Sequence, residues 1–284
     1  MGEMADWPAL ARELDRWADA GLVAECWWRD DDAQSRDPRL QQLLDLRAAF
    51  SLPLALAIPP VQADADLWRY LAGVAGVTAL VHGAAHRNHA PQGEKKAEFG
   101  PHRPLPLMQR ELSGACAALN AAAAAAAVAA LPVLVPPWNR IDPRLLPALP
   151  GLGYVGLSTF GAGEARQPGA GLTVCNCHLD IIDWRGTRGL VPASRLLATL
   201  TGLLATRRSR LQADPGASGD MEPIGILTHH RVQGADSNDF LRRLFDALCQ
   251  PRNGRPAVRW LSARQIFAPD RDAIGELSSP PRNG

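Results

Sequence analysis

What this 284-residue chain lacks removes several functions before any motif is weighed. Thirty basic and twenty-nine acidic side chains leave a net charge of +1, with no long basic run. Nucleic acid and anionic membrane both call for concentrated positive charge, so neither is an expected partner. The five cysteines (Cys26, Cys116, Cys175, Cys177 and Cys249) are odd in number and scattered. They form no disulfide framework and suit a reducing compartment. The stretch MGEMADWPALARELDRWADAG carries acids throughout and has no apolar core of secretion-signal length. No eighteen-residue run has membrane character; the alanine tract Ala121–Ala127 comes nearest and ends at Leu131-Pro132, as a helix end would. The expectation is a cytoplasmic protein. A GxSxG nucleophile elbow is absent, as are the phosphate-cradling GxxxxGK[ST] and GxGxxG sequences.

What is present reads as a globular α/β chain, 46% apolar and 21% charged. Strand-like runs fall at 22–28, 53–58, 77–82, 132–135, 153–157, 172–177, 224–228 and 257–261. Helical patterns separate most of them, at 6–20, 38–49, 64–73, 107–130, 142–149, 192–208 and 236–249. Such alternation predicts parallel strands joined by helical crossovers. A distorted (β/α) barrel of about seven parallel strands with surrounding helices is expected, as one domain over residues 1–284, with the tail after about 269 poorly ordered. An open sheet is the alternative. Residues 87–106, polar and rich in Pro and Gly, predict a long functional loop beside the site, with Glu94, Lys95 and Lys96 affecting substrate affinity. Residues 209–222 predict a flexible excursion.

Polar residues with catalytic capacity collect just after the strands. Asp30, Asp31 and Asp32 follow the first, and His82 ends the third with His86 four residues on. Trp138, Asn139 and Arg140 follow the fourth; Asp180, Asp183 and Trp184 follow the sixth; His229 and His230 follow the seventh. In a parallel barrel these positions share the carboxy-terminal rim and meet in one cleft. Three adjacent carboxylates need cationic partners if buried, although Asp also caps helices. His82 and His86 can offer two imidazoles to one ion if Gly83-Ala84-Ala85 turns helically, and a strand-end Asp completes a two-His, one-carboxylate set. His89 and His102 read as surface or substrate contacts. Cys175 and Cys177 share a strand face and read as buried structural thiols rather than zinc ligands. Trp27, Trp28, Trp138 and Trp184 lie near the polar positions, where an exposed indole would make a platform for a sugar ring, although ordinary packing claims at least one of Trp27 and Trp28.

The order of these motifs resembles the polysaccharide deacetylase family, also called carbohydrate esterase family 4. Trp28-Arg29-Asp30-Asp31-Asp32-Ala33 stands for its Asp-Asp-Gly motif, His82-Gly83-Ala84-Ala85-His86 for His-x-x-x-His, and Val135-Pro136-Pro137-Trp138-Asn139 for Arg-x-Pro-x-Gly. Asp180-Ile181-Ile182-Asp183-Trp184 stands for Asp-x-x-Asp-Trp, and Leu227-Thr228-His229 for Leu-x-His. The resemblance implies a metal-dependent deacetylase with one divalent ion, zinc, on Asp32, His82 and His86. Asp31 is then the general base and His229 the acid; the Trp138 N–H helps to stabilise the oxyanion. Asp30, Trp138, Asn139, Arg140, Asp183, Trp184 and His230 would line the substrate. The substrate implied is an N-acyl sugar or another small N-acyl molecule.

The chain departs from the pattern in two places. Val135 stands where the third motif has Arg, so Asp31 lacks its usual cation unless Arg140 or Arg29 supplies one; without it Asp31 would hold its proton to higher pH. Three acids also leave the register open between Asp30/Asp31 and Asp31/Asp32, and Ala33 in the small-residue position favours the second. Two other readings stand beside the deacetylase. One is a metal-independent glycoside hydrolase using paired carboxylates such as Asp31 and Asp183. The other is a catalytically silent carbohydrate-binding barrel.

Overall fold

The structure, a computed structural model, describes residues 5–161 and 171–268; the expected tail after 269 lies outside them. Aspartates set several helix starts, because a carboxylate can accept the orphaned N–H groups of a first turn. Asp6 opens α1 (Trp7–Asp19), Asp37 opens α2 (Pro38–Phe50), and Asp64 opens α3 (Ala65–Leu71). Between and after these lie β1 (Ala24–Asp31), β2 (Leu54–Ile58), β3 (Val77–Val81), α4 (Leu105–Ala125) and β4 (Ala130–Leu134). Then come β5 (Gly156–Leu157), β6 (Thr173–Val174), β7 (Leu179–Asp180) and α5 (Ala193–Ala213). The last elements are β8 (Ile224–Thr228), α6 (Ala235–Cys249), β9 (Val258–Trp260) and α7 (Ala263–Phe267).

All pairings between these strands are parallel, in the order β6-β5-β4-β3-β2-β1-β8-β7, with β9 added beside β1. The two ends of that order are nearly one piece of chain. Only Cys175–His178 separates β6 from β7, and this stretch bonds to both sides: Cys177 N–H donates to Thr159 O at 2.9 Å and His178 N–H to Gly225 O at 2.7 Å. Counted as one kinked strand, β6 and β7 curl the sheet into the distorted barrel of about seven strands expected from the sequence. Gly225 is needed at the kink, because a Cβ there would sit 2.6 Å from Asn176 O and Cys177 Cα.

Strand pleating divides the core in two. Cys26, Trp28, Leu54, Leu56 and Ile226 face the helices, whereas Trp27, Ala55, Ala57, Leu80, Val133 and Leu227 fill the barrel, where Phe267 of α7 packs on Trp27. Both Trp27 and Trp28 are therefore core, and neither serves as a sugar platform. The expected excursion at 209–222 begins as helix, since α5 runs on to Ala213 before a 3₁₀ turn over Pro215–Asp220. Among the described residues no helix is long and apolar enough to cross a membrane.

The cysteines behave as the sequence indicates. Cys26, Cys116, Cys175 and Cys177 are buried and only Cys249 is exposed. Burial pushes the Cys26 and Cys177 thiols up to about 12, in the second case against the pull of Arg29. Since the thiolate is the reactive form, a maleimide at neutral pH should label one thiol in the native protein, Cys249, and five after denaturation, read by mass spectrometry. Rapid labelling of a second native thiol would contradict this packing.

Candidate metal centre and active site

β1 is longer than expected and runs through Asp31, so Asp30 and Asp31 lie within the strand and their side chains point to opposite faces. Asp31 points into the barrel with Arg29. Asp30 points outward, 0% exposed, where its carboxylate accepts from Thr228 Oγ1 (2.7 Å) and His230 N–H (2.9 Å) and lies 2.5 Å from His230 Nδ1. His230 is itself 1% exposed. The expectation that Asp30 and His230 touch substrate is thereby corrected: both sit on the helix side of the strand, where they fasten the turn carrying His229 to β1.

Asp32 leaves the pleat with φ of +77°, a conformation rare outside glycine. Its Oδ1 lies 3.2 Å from His82 Nε2 and 3.1 Å from His86 Nε2. The ligand atoms of the three residues fall within 4.8 Å of one another. The His82–His86 turn is not helical; Gly83 (φ +64°) and His86 (φ +48°) reverse the chain and bring the rings to 5.0 Å. Nδ1 of His82 lies 2.9 Å from Val135 O. Donation there leaves the Nε2 lone pair facing Asp32. Buried Asp32 Oδ1 has no hydrogen-bond donor. Three lone-pair atoms so arranged repel unless a proton or cation lies between them, and Asp with two His is a donor set that divalent zinc accepts. Electrostatics agree. Despite burial, His82 and His86 hold the Asp32 carboxyl well below its usual range. Burial depresses His82, but Asp32 and Asp31 outweigh it and raise its pKa; at His86 burial prevails and lowers it.

The catalytic candidates adjoin this group. Asp31 Oδ1 lies 2.9 Å from Arg29 Nε, at an angle too oblique for a hydrogen bond, and Oδ2 accepts from Arg29 Nη2 at 3.1 Å. Of the two cations the sequence offers in place of the third-motif Arg, Arg29 rather than Arg140 supplies the charge to Asp31: exposed Arg140 donates to Lys96 O. His229 Nε2 is 3.9 Å from Asp31 Oδ2, and the exposed Trp184 indole packs edge-on against its ring at 4.7 Å. Trp138 packs on His86 at 4.5 Å. Asn139 accepts from Arg29 Nη2 at 2.8 Å and so shares the guanidinium with Asp31. The Asp183 carboxylate accepts from Gly186 and Thr187 N–H and so closes the turn that follows Trp184.

Two supports complete the arrangement: Asp180, which the sequence places at the rim without a role, and Glu98, which it does not single out. Asp180 binds the Trp184 indole N–H at 2.8 Å; burial raises its pKa while the His229 imidazole opposes. Its place in the fourth motif was the available signal. Glu98, 1% exposed, accepts from Ala84, Ala85 and Arg87 N–H and so braces the turn between the two histidines. It lies within the polar loop and carried no sequence signal. That loop packs back on the protein through Glu98 and Phe99, and its Glu94, Lys95 and His102 join Asn139 and Arg140 around a cavity of about 400 Å³.

Comparison with known proteins gives the fold. No protein-family model matches the sequence, and no curated protein matches it. Among solved structures, a Mycobacterium smegmatis protein provisionally named a polysaccharide deacetylase is similar at 16% identity, with TM-score 0.57, over 92% of this chain and 95% of that one. A peptidoglycan N-acetylglucosamine deacetylase bound to an N-oxidanyl-benzamide is similar at 14% identity, with TM-score 0.50, over 86% and 88%. A CE4 family pseudoenzyme from Bacillus anthracis is similar at 10% identity, with TM-score 0.48, over 86% and 66%. The chain thus has the fold of the polysaccharide deacetylases, in agreement with the resemblance of its motifs.

The Glu98 brace yields a test. Glu98→Ala frees three backbone N–H groups under the histidine turn, and loss of such outer support typically lowers metal affinity by about 10- to 100-fold. Zinc affinity measured by chelator competition should fall in that range while Asp32, His82 and His86 remain. Wild-type affinity in the variant would contradict the role assigned to Glu98.

Proposed function

We propose that this chain is a metal-dependent hydrolase that removes an acyl group, acetyl in the simplest case, from the amide nitrogen of a sugar or other small N-acyl molecule. The observation that carries the reading is the meeting at one barrel rim of two unlike sets: Asp32, His82 and His86 around one point, and Asp31 with His229 beside it. Zinc suits the donors, with Asp32, His82 and His86 as ligands. When bound, such an ion supplies Lewis acidity to the acyl carbonyl and acidifies water.

The protein's own groups divide the proton work. Asp31, beside His229, takes the proton of the attacking water. His229 delivers a proton to the departing nitrogen, which otherwise leaves as a poor amide anion. Trp138 contributes its backbone N–H to the developing oxyanion, from a left-handed turn (φ +56°) held by Asn139 N–H on Pro136 O. Trp184 packs against the acyl group beside His229. The cavity between the polar loop and Asn139–Pro143 receives the rest of the substrate, which gives Glu94, Lys95, Arg140 and the loop a part in affinity. The glycoside hydrolase alternative would pair Asp31 with Asp183, whose carboxylate already accepts from Gly186 and Thr187 N–H.

Asp31→Asn should retain the ion and lose turnover by about 10²- to 10⁴-fold on both an N-acetylated alkylamine and 4-nitrophenyl acetate, the range of a general base. His229→Ala should also retain the ion, with a heavy loss on the amide and a small one on the activated ester, whose leaving group needs no proton. Equal losses of His229→Ala on the two substrates would contradict the division of roles. A wild-type chain that turns over neither would favour the silent binding barrel.

A further inference from the structure

Arg29 has more partners than a salt bridge requires. It is 0% exposed. Nη2 donates to Asp31 Oδ2 at 3.1 Å and to Asn139 Oδ1 at 2.8 Å, Nη1 donates to Ser158 Oγ at 2.6 Å and to Thr159 O at 3.3 Å, and Nε lies 2.9 Å from Asp31 Oδ1. One planar guanidinium therefore ties together β1, the 3₁₀ turn Pro137–Asn139 after β4, and the residues just after β5. No lone pair on Arg29 can take part in proton transfer, so its place in chemistry can only be through what it holds. Of its partners, Asp31 lies 3.9 Å from His229 Nε2.

We infer that Arg29, clamped by Asn139 and Ser158, is the positioning residue for Asp31: it holds both carboxylate oxygens against one edge of its guanidinium and so sets Oδ2 towards His229. This rests on the reading of Asp31 as the base. Two residues apart on one strand, Arg29 and Asp31 share a face, so a cation on β1 reaches the base from below without help from β4. Val135, at the end of β4, also belongs to the barrel-filling cluster and is 0% exposed. An arginine at 135 would enter the same interior from the opposite wall. The guanidinium, rather than charge alone, matters, because an ammonium cannot hold Asp31, Asn139 and Ser158 in one plane.

The test uses the zinc-loaded full chain and 4-nitrophenyl acetate. Arg29→Gln and Arg29→Lys should each lower kcat at least about 10²-fold, approaching removal of the base itself, while zinc content and KM stay within about twofold of wild type. In the Arg29→Val, Val135→Arg double variant, kcat should recover at least about tenfold over Arg29→Val. That recovery comes from regained cationic support, which a purely packing role would not predict. Crystal structures should show the Asp31 carboxylate rotated in Arg29→Gln and restored in the double variant. Wild-type kcat in Arg29→Lys, or an Asp31 that keeps its orientation in Arg29→Gln, overturns the assignment. If the wild type itself hydrolyses nothing, the proposed reaction fails and the crystallographic comparison still decides for or against Arg29. Should Arg29→Gln fail to fold, Arg29→Lys carries both measurements.

Discussion

Three adjacent carboxylates at the end of one strand impose the constraint from which the rest of this site follows. Burying an ionised carboxylate costs several kcal/mol unless partners replace its water, and neighbours of like charge raise that cost. The chain sends the three in different directions. Asp30 turns outward to Thr228 and His230, Asp31 turns inward to Arg29, and Asp32 breaks from the pleat into a left-handed conformation to meet two imidazoles. Each solution recruits a different segment: the turn after β8, the barrel interior, and the loop after β3. Neutralising the acids thus joins these segments at the rim, and the proposed catalytic constellation is its by-product.

Strain and support coincide there. Of the non-glycine residues with positive φ, Asp32, His86, Trp138 and Asn139 all stand at this one rim. Such conformations persist only where the surroundings over-determine them. Glu98 does so for His86, and Asn139 is held by the guanidinium it helps to orient. The proposed ligand and base positions are therefore packed and braced. Exposed apolar surface near the rim is left to Trp184 and Phe160, and to Val61, whose N–H bonds Ala84 O of the histidine turn.

Much of this was legible in the sequence, for reasons that differ by element. Long alternating apolar segments locate β1 to β4, β8 and their helices within a few residues, because burial on both faces of a parallel strand writes itself as a short apolar run. The kinked β6–β7 passage was not legible, since its pairing switches sheet neighbours midway and periodicity sees only one strand. At the site, spacing brought out Asp32, His82 and His86, but pleat direction decided Asp30 and His230, and a one-residue error in where β1 ends sends a carboxylate to the wrong face. That Asp183 closes its own turn through Gly186 and Thr187 is not written in its spacing. Arg29 was in view only as one of two possible cations; that the other, Arg140, reaches a loop carbonyl instead is a tertiary fact.

The proposed chemistry requires one divalent ion where Asp32, His82 and His86 converge. Crystals of the protein grown with zinc, with anomalous diffraction recorded on either side of the zinc edge, measure this directly. The prediction is one peak per chain at the barrel rim, bound by Nε2 of His82, Nε2 of His86 and a carboxylate oxygen of Asp32, at about 2.0–2.2 Å each. No peak at that point, or a peak that persists in a His82→Ala, His86→Ala double variant, would contradict it.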